Sequence, residues 1–115
     1  MAVTENEKSA KRALQIVNDL LPGTLMQTLG IRYTDAGEGF LEAIMPVDSR
    51  HHQPMGILHG GATAALAESV ASAASGLALA GTGRKPVGLD LSINHIRSVT
   101  SGEIRARAEA LHLGR

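Results

Sequence analysis

Apolar residues at Ala13, Leu14, Ile16, Val17, Leu20 and Leu21 recur every three or four positions, a spacing that predicts a helix over 8–21 with one face turned to a core. Pro22-Gly23 stops it, and the polar residues 1–7 before it read as a loose start. A short helical turn over 24–29 leads into two predicted strands, IRYTD (31–35) and FLEAIMP (40–46), joined by the tight turn Gly37-Glu38-Gly39. A loop over 47–58 follows. The stretch 62–80 is then uniformly small and apolar, with nine alanines and four Leu or Val in nineteen residues, and reads as one long helix ending near Gly81 and Gly83. After Pro86 the period changes to two: Val87, Leu89, Leu91 and Ile93 alternate with Gly88, Asp90, Ser92 and Asn94, the mark of a half-buried strand. A turn at 98–102 leads to a last strand, with Glu103, Arg105, Arg107 and Glu109 on one face and Ile104, Ala106, Ala108 and Ala110 on the other. Those small inward residues suit a helix lying close against the sheet. The pattern is α+β: one long buried helix against an antiparallel sheet.

With 115 residues there is room for one domain, and only 2% of them are aromatic (Tyr33 and Phe40), so the core must be built from aliphatic residues and many alanines. A formal net charge of zero marks no nucleic-acid or anionic-membrane surface. Cysteine is absent, which excludes disulfide frameworks and Cys-zinc sites and fits a reducing compartment. The stretch 62–80 is long enough to raise the question of a membrane span, but a glutamate, three serines and weakly hydrophobic alanines argue against it. Charges scattered through the first twenty residues do not form a signal peptide. The expectation is a soluble, cytoplasmic protein.

The glutamate is the odd residue. At about 100° per residue, Leu66, Val70 and Leu77 fall on one side of the predicted helix and Glu68, Ser72 and Ser75 on the other. A face of Ala and Ser with a single acid and no Lys or Arg is not an ordinary solvated face, and the reading is one covered by a ligand or a partner subunit. At the start of the helix stands His59-Gly60-Gly61. Glycines let another molecule approach the backbone, and the free N–H groups of a first helical turn favour negative charge. Gly60 and Glu68 lie roughly 10–12 Å apart along the axis, too far for one substrate carbon to touch both. An antiparallel pairing of two such helices would bring one chain's N-terminus to the other's carboxylate. A lone helical Glu is more often a surface residue, and His-Gly-Gly alone is common. What distinguishes this chain is Gln53, His59, the glycine pair, Glu68 and Ser72 within twenty residues. The adjacent His51 and His52 do not read as a metal site, because neighbouring residues converge poorly on one ion.

The segments PVDSRHHQPMGILHGGATAALAESVAS (46–72) and VGLDLSINHIRSVTSGEIRARAEALHLGR (87–115) closely resemble the hot-dog-fold acyl-CoA thioesterases. The likeness is greatest to the branch acting on aryl-CoA esters such as 4-hydroxybenzoyl-CoA and 1,4-dihydroxy-2-naphthoyl-CoA. It covers residues 23–115, the expected hot-dog domain, and leaves 1–22 as a partly helical N-terminal extension. The resemblance implies a homodimer or homotetramer with composite active sites, acting on a small acyl-CoA molecule without metal or other cofactor. It implies Glu68 as the catalytic carboxylate, attacking the thioester carbonyl or activating water, and Gly60 as the N–H donor that polarises the thioester oxygen. Gln53 and His59 match residues beside that oxygen, and Ser72 a hydroxyl that positions the carboxylate or the water. Gly61, His95 and Arg97 match substrate or CoA contacts, with Arg97 suited to phosphate; His112 and Arg115 are further candidates. Related phenylacetyl-CoA-type enzymes carry Asp where this chain has Glu68, which favours the hydroxyaryl branch. The chemistry is consistent with the residues, since a thiol of pKa about 8.5 leaves without a strong acid and one oxyanion donor is worth about 2.7–4 kcal/mol. A non-catalytic acyl-CoA-binding module, or a purely structural dimer, is the alternative; release of free CoA from benzoyl-CoA separates them. The resemblance also implies six strands in the order 1-2-4-5-6-3, of which the chain supplies four. The expectation is thus a hot-dog domain cut short at its C-terminus, with a gap between strands 4 and 3.

Overall fold

The computed structural model describes residues 3–79, 85–98 and 100–114. In chain order it contains α1 (Glu5–Asp19), α2 (Leu25–Leu29), β1 (Arg32–Gly37), β2 (Phe40–Val47), one 3₁₀ turn (Ser49–His51), α3 (Gly60–Leu79), β3 (Lys85–Arg97) and β4 (Gly102–Gly114). The strands form one antiparallel sheet, and α3 packs on it as the sequence pattern predicts.

The first helix starts earlier than expected. Residues 5–7 are helical because Thr4 caps them: its hydroxyl accepts the Glu7 N–H at 3.1 Å, and Glu5 and Glu7 place negative charge at the positive end of the helix dipole. The spacing Thr4-x-x-Glu7 is itself a helix-start signature. After the stop at Pro22-Gly23, α2 ends on Gly30, whose φ of 74° closes the turn with its N–H on the carbonyls of Gln27 and Met26.

The core lies between α3 and the two central strands. Leu66 and Val70 of α3, Ala43 and Met45 of β2, and Ile104, Ala106 and Ala108 of β4 are all without solvent exposure. Ala43 stands opposite Ala106, and Leu41 opposite Ala108. Alanines at these places let the helix approach the sheet, so that burying Leu66 and Val70 contributes about 1.5–3 kcal/mol each.

The strand order is β1-β2-β4-β3, the order expected of the four strands the chain supplies, but the expected gap is closed. Where a gap was expected, β3 lies directly on β4, from Lys85 opposite Gly114 to Arg97 opposite Gly102. The physical reason is the short connection, closed by the Ser98 N–H on the Ser101 carbonyl, which makes the two strands a hairpin of antiparallel neighbours. As the edge strand, β3 is also less covered than its alternation predicts. Leu89 and Ile93 are partly buried, but Leu91 remains 40% exposed.

On the opposite edge, α1 is fastened to β1 by one side chain. The Asn18 amide donates to the Tyr33 carbonyl and accepts the Tyr33 N–H, both at 2.9 Å. The Tyr33 ring is buried, its phenol donates to the Ser69 carbonyl of α3 at 3.1 Å, and burial pushes its pKa up.

Candidate active site

The segment from β2 to α3 is built by hydrogen bonds that its own residue types supply. The Asp48 carboxylate accepts the Arg50 backbone N–H and Nε, both at 3.1 Å, which makes the one-turn helix at 49–51. Burial alone would raise the Asp48 carboxyl. Its hydrogen bonds from Arg50, and the Arg50 charge, bring it below the ordinary carboxylate value instead. Arg50 Nη1 donates to the Thr28 carbonyl at 3.0 Å, and His51 Nε2 meets the Leu29 carbonyl at 2.6 Å. The two residues thereby satisfy carbonyls that the end of α2 leaves open. His52 turns the other way, with Nε2 2.9 Å from the Thr100 carbonyl in the β3–β4 turn. The two histidine rings diverge, as the sequence reading expects of adjacent residues.

Gln53 organises the next turn. Its N–H donates to the Ile57 carbonyl at 2.8 Å, and its side-chain oxygen accepts the Met55 N–H. The chain then returns so that the His59 N–H donates to the His51 carbonyl at 2.8 Å, and α3 begins at the next residue.

At that start the two glycines differ. The Gly61 N–H is taken by His59 Nδ1 at 2.7 Å, and a Cβ on Gly61 would lie 2.8 Å from the same atom, so any side chain there would have to displace the imidazole. The Gly60 N–H has no acceptor among the described residues, and a Cβ there would meet nothing within 4 Å. The first turn therefore presents one free, approachable donor at the positive end of a 20-residue helix.

Glu68 and Ser72 are exposed on α3, beside a groove of about 650 Å³ between that helix and the helices α1 and α2. The rest of its lining is mostly apolar: Ile16, Leu20 and Leu25 form the far wall and are 47%, 68% and 62% exposed, and Tyr33 also lines the groove. This wall comes from the N-terminal segment, to which the sequence reading gave no part in the site. Its signal was the apolar periodicity of residues 13–21 continued by Leu25 and Met26.

Gln53, His59, Gly60 and Gly61 are thus brought together at one end of the sheet, and the His52–Thr100 contact ties the β3–β4 turn to the same end. His95 stands opposite Ile104 and so shares the face turned to α3, while Arg97 closes the strand beside the turn; both are exposed. Glu68 is eight residues beyond Gly60, about 12 Å along the axis, so one chain does not join the carboxylate to the donor. The side chain of His112, and Arg115, lie outside the described residues.

The sequence profile described as "Thioesterase superfamily" matches residues 55–115, which include the helix start, Glu68 and both long strands. The chain belongs to the thioesterase superfamily. This thioesterase is 49% identical over 102 residues to the "Proofreading thioesterase EntH" of Cronobacter turicensis, a match covering 89% of this chain and 74% of that one. It is 45% identical over 104 residues to the 1,4-dihydroxy-2-naphthoyl-CoA hydrolase of Escherichia coli, covering 90% and 76% of the two chains. Among solved structures it is similar to thioesterase HI1161 of Haemophilus influenzae, with 45% identity, a TM-score of 0.69, and coverage of 89% and 71%. The hot-dog architecture and the assignment as a thioester hydrolase follow from these likenesses. Among the described residues, no helix is long and apolar enough to cross a membrane.

Proposed function

We propose that this thioesterase hydrolyses an aryl- or hydroxyaryl-CoA ester to the free acid and CoA, in an oligomer whose protomers share each site. The observation that carries the reading is the pairing on one helix of a free Gly60 N–H with a lone carboxylate, Glu68, beside an apolar groove. The relatives named for thioester hydrolysis support the reaction, and the E. coli enzyme's aryl substrate supports the substrate class.

In this mechanism the thioester oxygen lies against the Gly60 N–H of one protomer, flanked by Gln53 and His59. The donor grows in value as negative charge gathers on that oxygen. Glu68 of the other protomer attacks the carbonyl carbon or takes a proton from the water that does, with Ser72 one turn away to orient it. The C–S bond breaks and CoA leaves as a thiol, so the net reaction consumes one water. The apolar groove takes the acyl group, Gly61 leaves room for the thioester, and His95 and Arg97 meet the CoA phosphates. The exposure of Leu20 and Leu25 on the groove wall (68% and 62%) supports a second protomer as the cover of this face.

The test is release of free CoA from a panel of aryl and aliphatic CoA esters by the wild-type chain and by Glu68→Gln. Hydrolysis ranked in favour of aryl esters is expected, with kcat in the variant reduced at least about a hundredfold and KM little changed, because the carboxylate acts mainly in the transition state. A variant retaining more than about a tenth of the wild-type kcat would remove Glu68 from the chemistry.

A further inference from the structure

His51 is the one buried polar or charged residue among the described positions, 1% exposed, and the mechanism above makes no use of it. Every polar group on it is engaged. A carbonyl can only accept, so Nε2 carries the proton that meets the Leu29 carbonyl at 2.6 Å, and Nδ1 accepts the Asp48 N–H at 3.1 Å. Its own N–H donates to the Asp48 carbonyl at 2.9 Å, and its carbonyl accepts the His59 N–H at 2.8 Å. One residue thus joins the end of α2, the end of β2 and the residue before α3. From His59 the chain of contacts continues: its ring takes the Gly61 N–H at 2.7 Å and its carbonyl the Ala62 N–H at 3.0 Å. These contacts decide which N–H of the first turn is capped and which, that of Gly60, stays free.

We propose that His51 is the positioning residue of the oxyanion donor. By locking its imidazole between Leu29 and Asp48 it holds the His51–His59 backbone bond in place and so aims the Gly60 N–H. An apolar side chain of similar size would fill the space and leave the Leu29 carbonyl and Asp48 N–H buried without partners. The 49–51 turn would then shift to hydrate them, and His59 would move with it. Misplacement by about 1 Å can reduce a rate about a hundredfold.

The inference rests on the thioesterase reading for its kinetic consequence but not for its structural one, and the experiment reads both. In His51→Leu, kcat for an aryl-CoA ester should fall about 30- to 100-fold with KM within about threefold, the mark of a donor misaimed and not a pocket lost. Amide hydrogen exchange at His59 should accelerate at least about tenfold, while Ile104 and Ala106 in the sheet keep their protection. His51→Asn keeps an acceptor for the Asp48 N–H but does not reach Leu29; it should fall between the two, and it serves alone if leucine prevents folding. Wild-type kcat or unchanged His59 exchange in these variants would overturn the proposal. If the wild-type chain hydrolyses no acyl-CoA, the thioesterase reading fails, and the His59 exchange rate alone decides on His51.

Discussion

Arg97 has a φ of 96°, in the region that L residues rarely adopt, and it faces Gly102, which adopts 103° across the hairpin. Holding a side chain there costs on the order of 1–2 kcal/mol. Arg97→Gly should therefore raise the melting temperature by roughly 4–8 °C per kcal/mol relieved, while removing the guanidinium proposed to meet the CoA phosphates. Calorimetry and KM for a CoA ester check the two halves; an unchanged KM would separate Arg97 from the substrate. Glu68 and Gly60 were legible in the sequence because each breaks a local pattern, a charge on a small-residue face and a glycine pair at a helix start. His51 was not. Its proposed role depends on a carbonyl 22 residues earlier, and no periodicity connects Leu29 to a histidine in a loop. Tyr33 was missed for the same reason, since its phenol finds Ser69 36 residues away.

Among the elements, α1 depends most on a single tertiary clamp. Only Val17 of α1 is fully buried, and Asn18 makes its paired bonds to Tyr33. Asn18→Ala would leave the N–H and carbonyl of β1 at Tyr33 unpaired, at a cost of about 1–3 kcal/mol. The expected result is a melting temperature lower by several degrees and a raised KM for aryl esters, because α1 carries one wall of the groove beside Glu68. A lower melting temperature with unchanged KM would take α1 out of substrate binding. The existence, type and sequence of all the long elements were readable from periodicity, since 3.6- and 2-residue repeats are local. Strand adjacency was not. The alternation in β3 says which face is apolar, not which neighbour it chooses, and here the short 98–101 connection decided in favour of β4.

For the whole molecule, the separation of Glu68 from Gly60 on one straight helix makes the proposed oligomer testable without a structure of it. Mixing Glu68→Gln with Gln53→Ala, each inactive alone, should recover activity on subunit exchange. In a two-fold dimer, random mixing leaves about a quarter of the sites intact. Verified exchange without recovery would place the site within one chain. The radius of gyration, 15.0 Å, exceeds the roughly 13 Å expected of a compact chain this long, in keeping with a β3–β4 hairpin whose Leu91, Ile96 and Leu111 stand exposed. The layout also has a practical side. The helix start, the Gln53 loop and the β3–β4 turn crowd one end, whereas the β1–β2 turn at Glu38-Gly39 sits at the other and holds none of the candidate residues. That turn is a handle. A flexible insertion there, of an affinity tag or a whole second domain, should leave CoA release close to wild type. The same insertion at Ser101 should abolish it, so the molecule can be tethered to a surface by one end while the other still works.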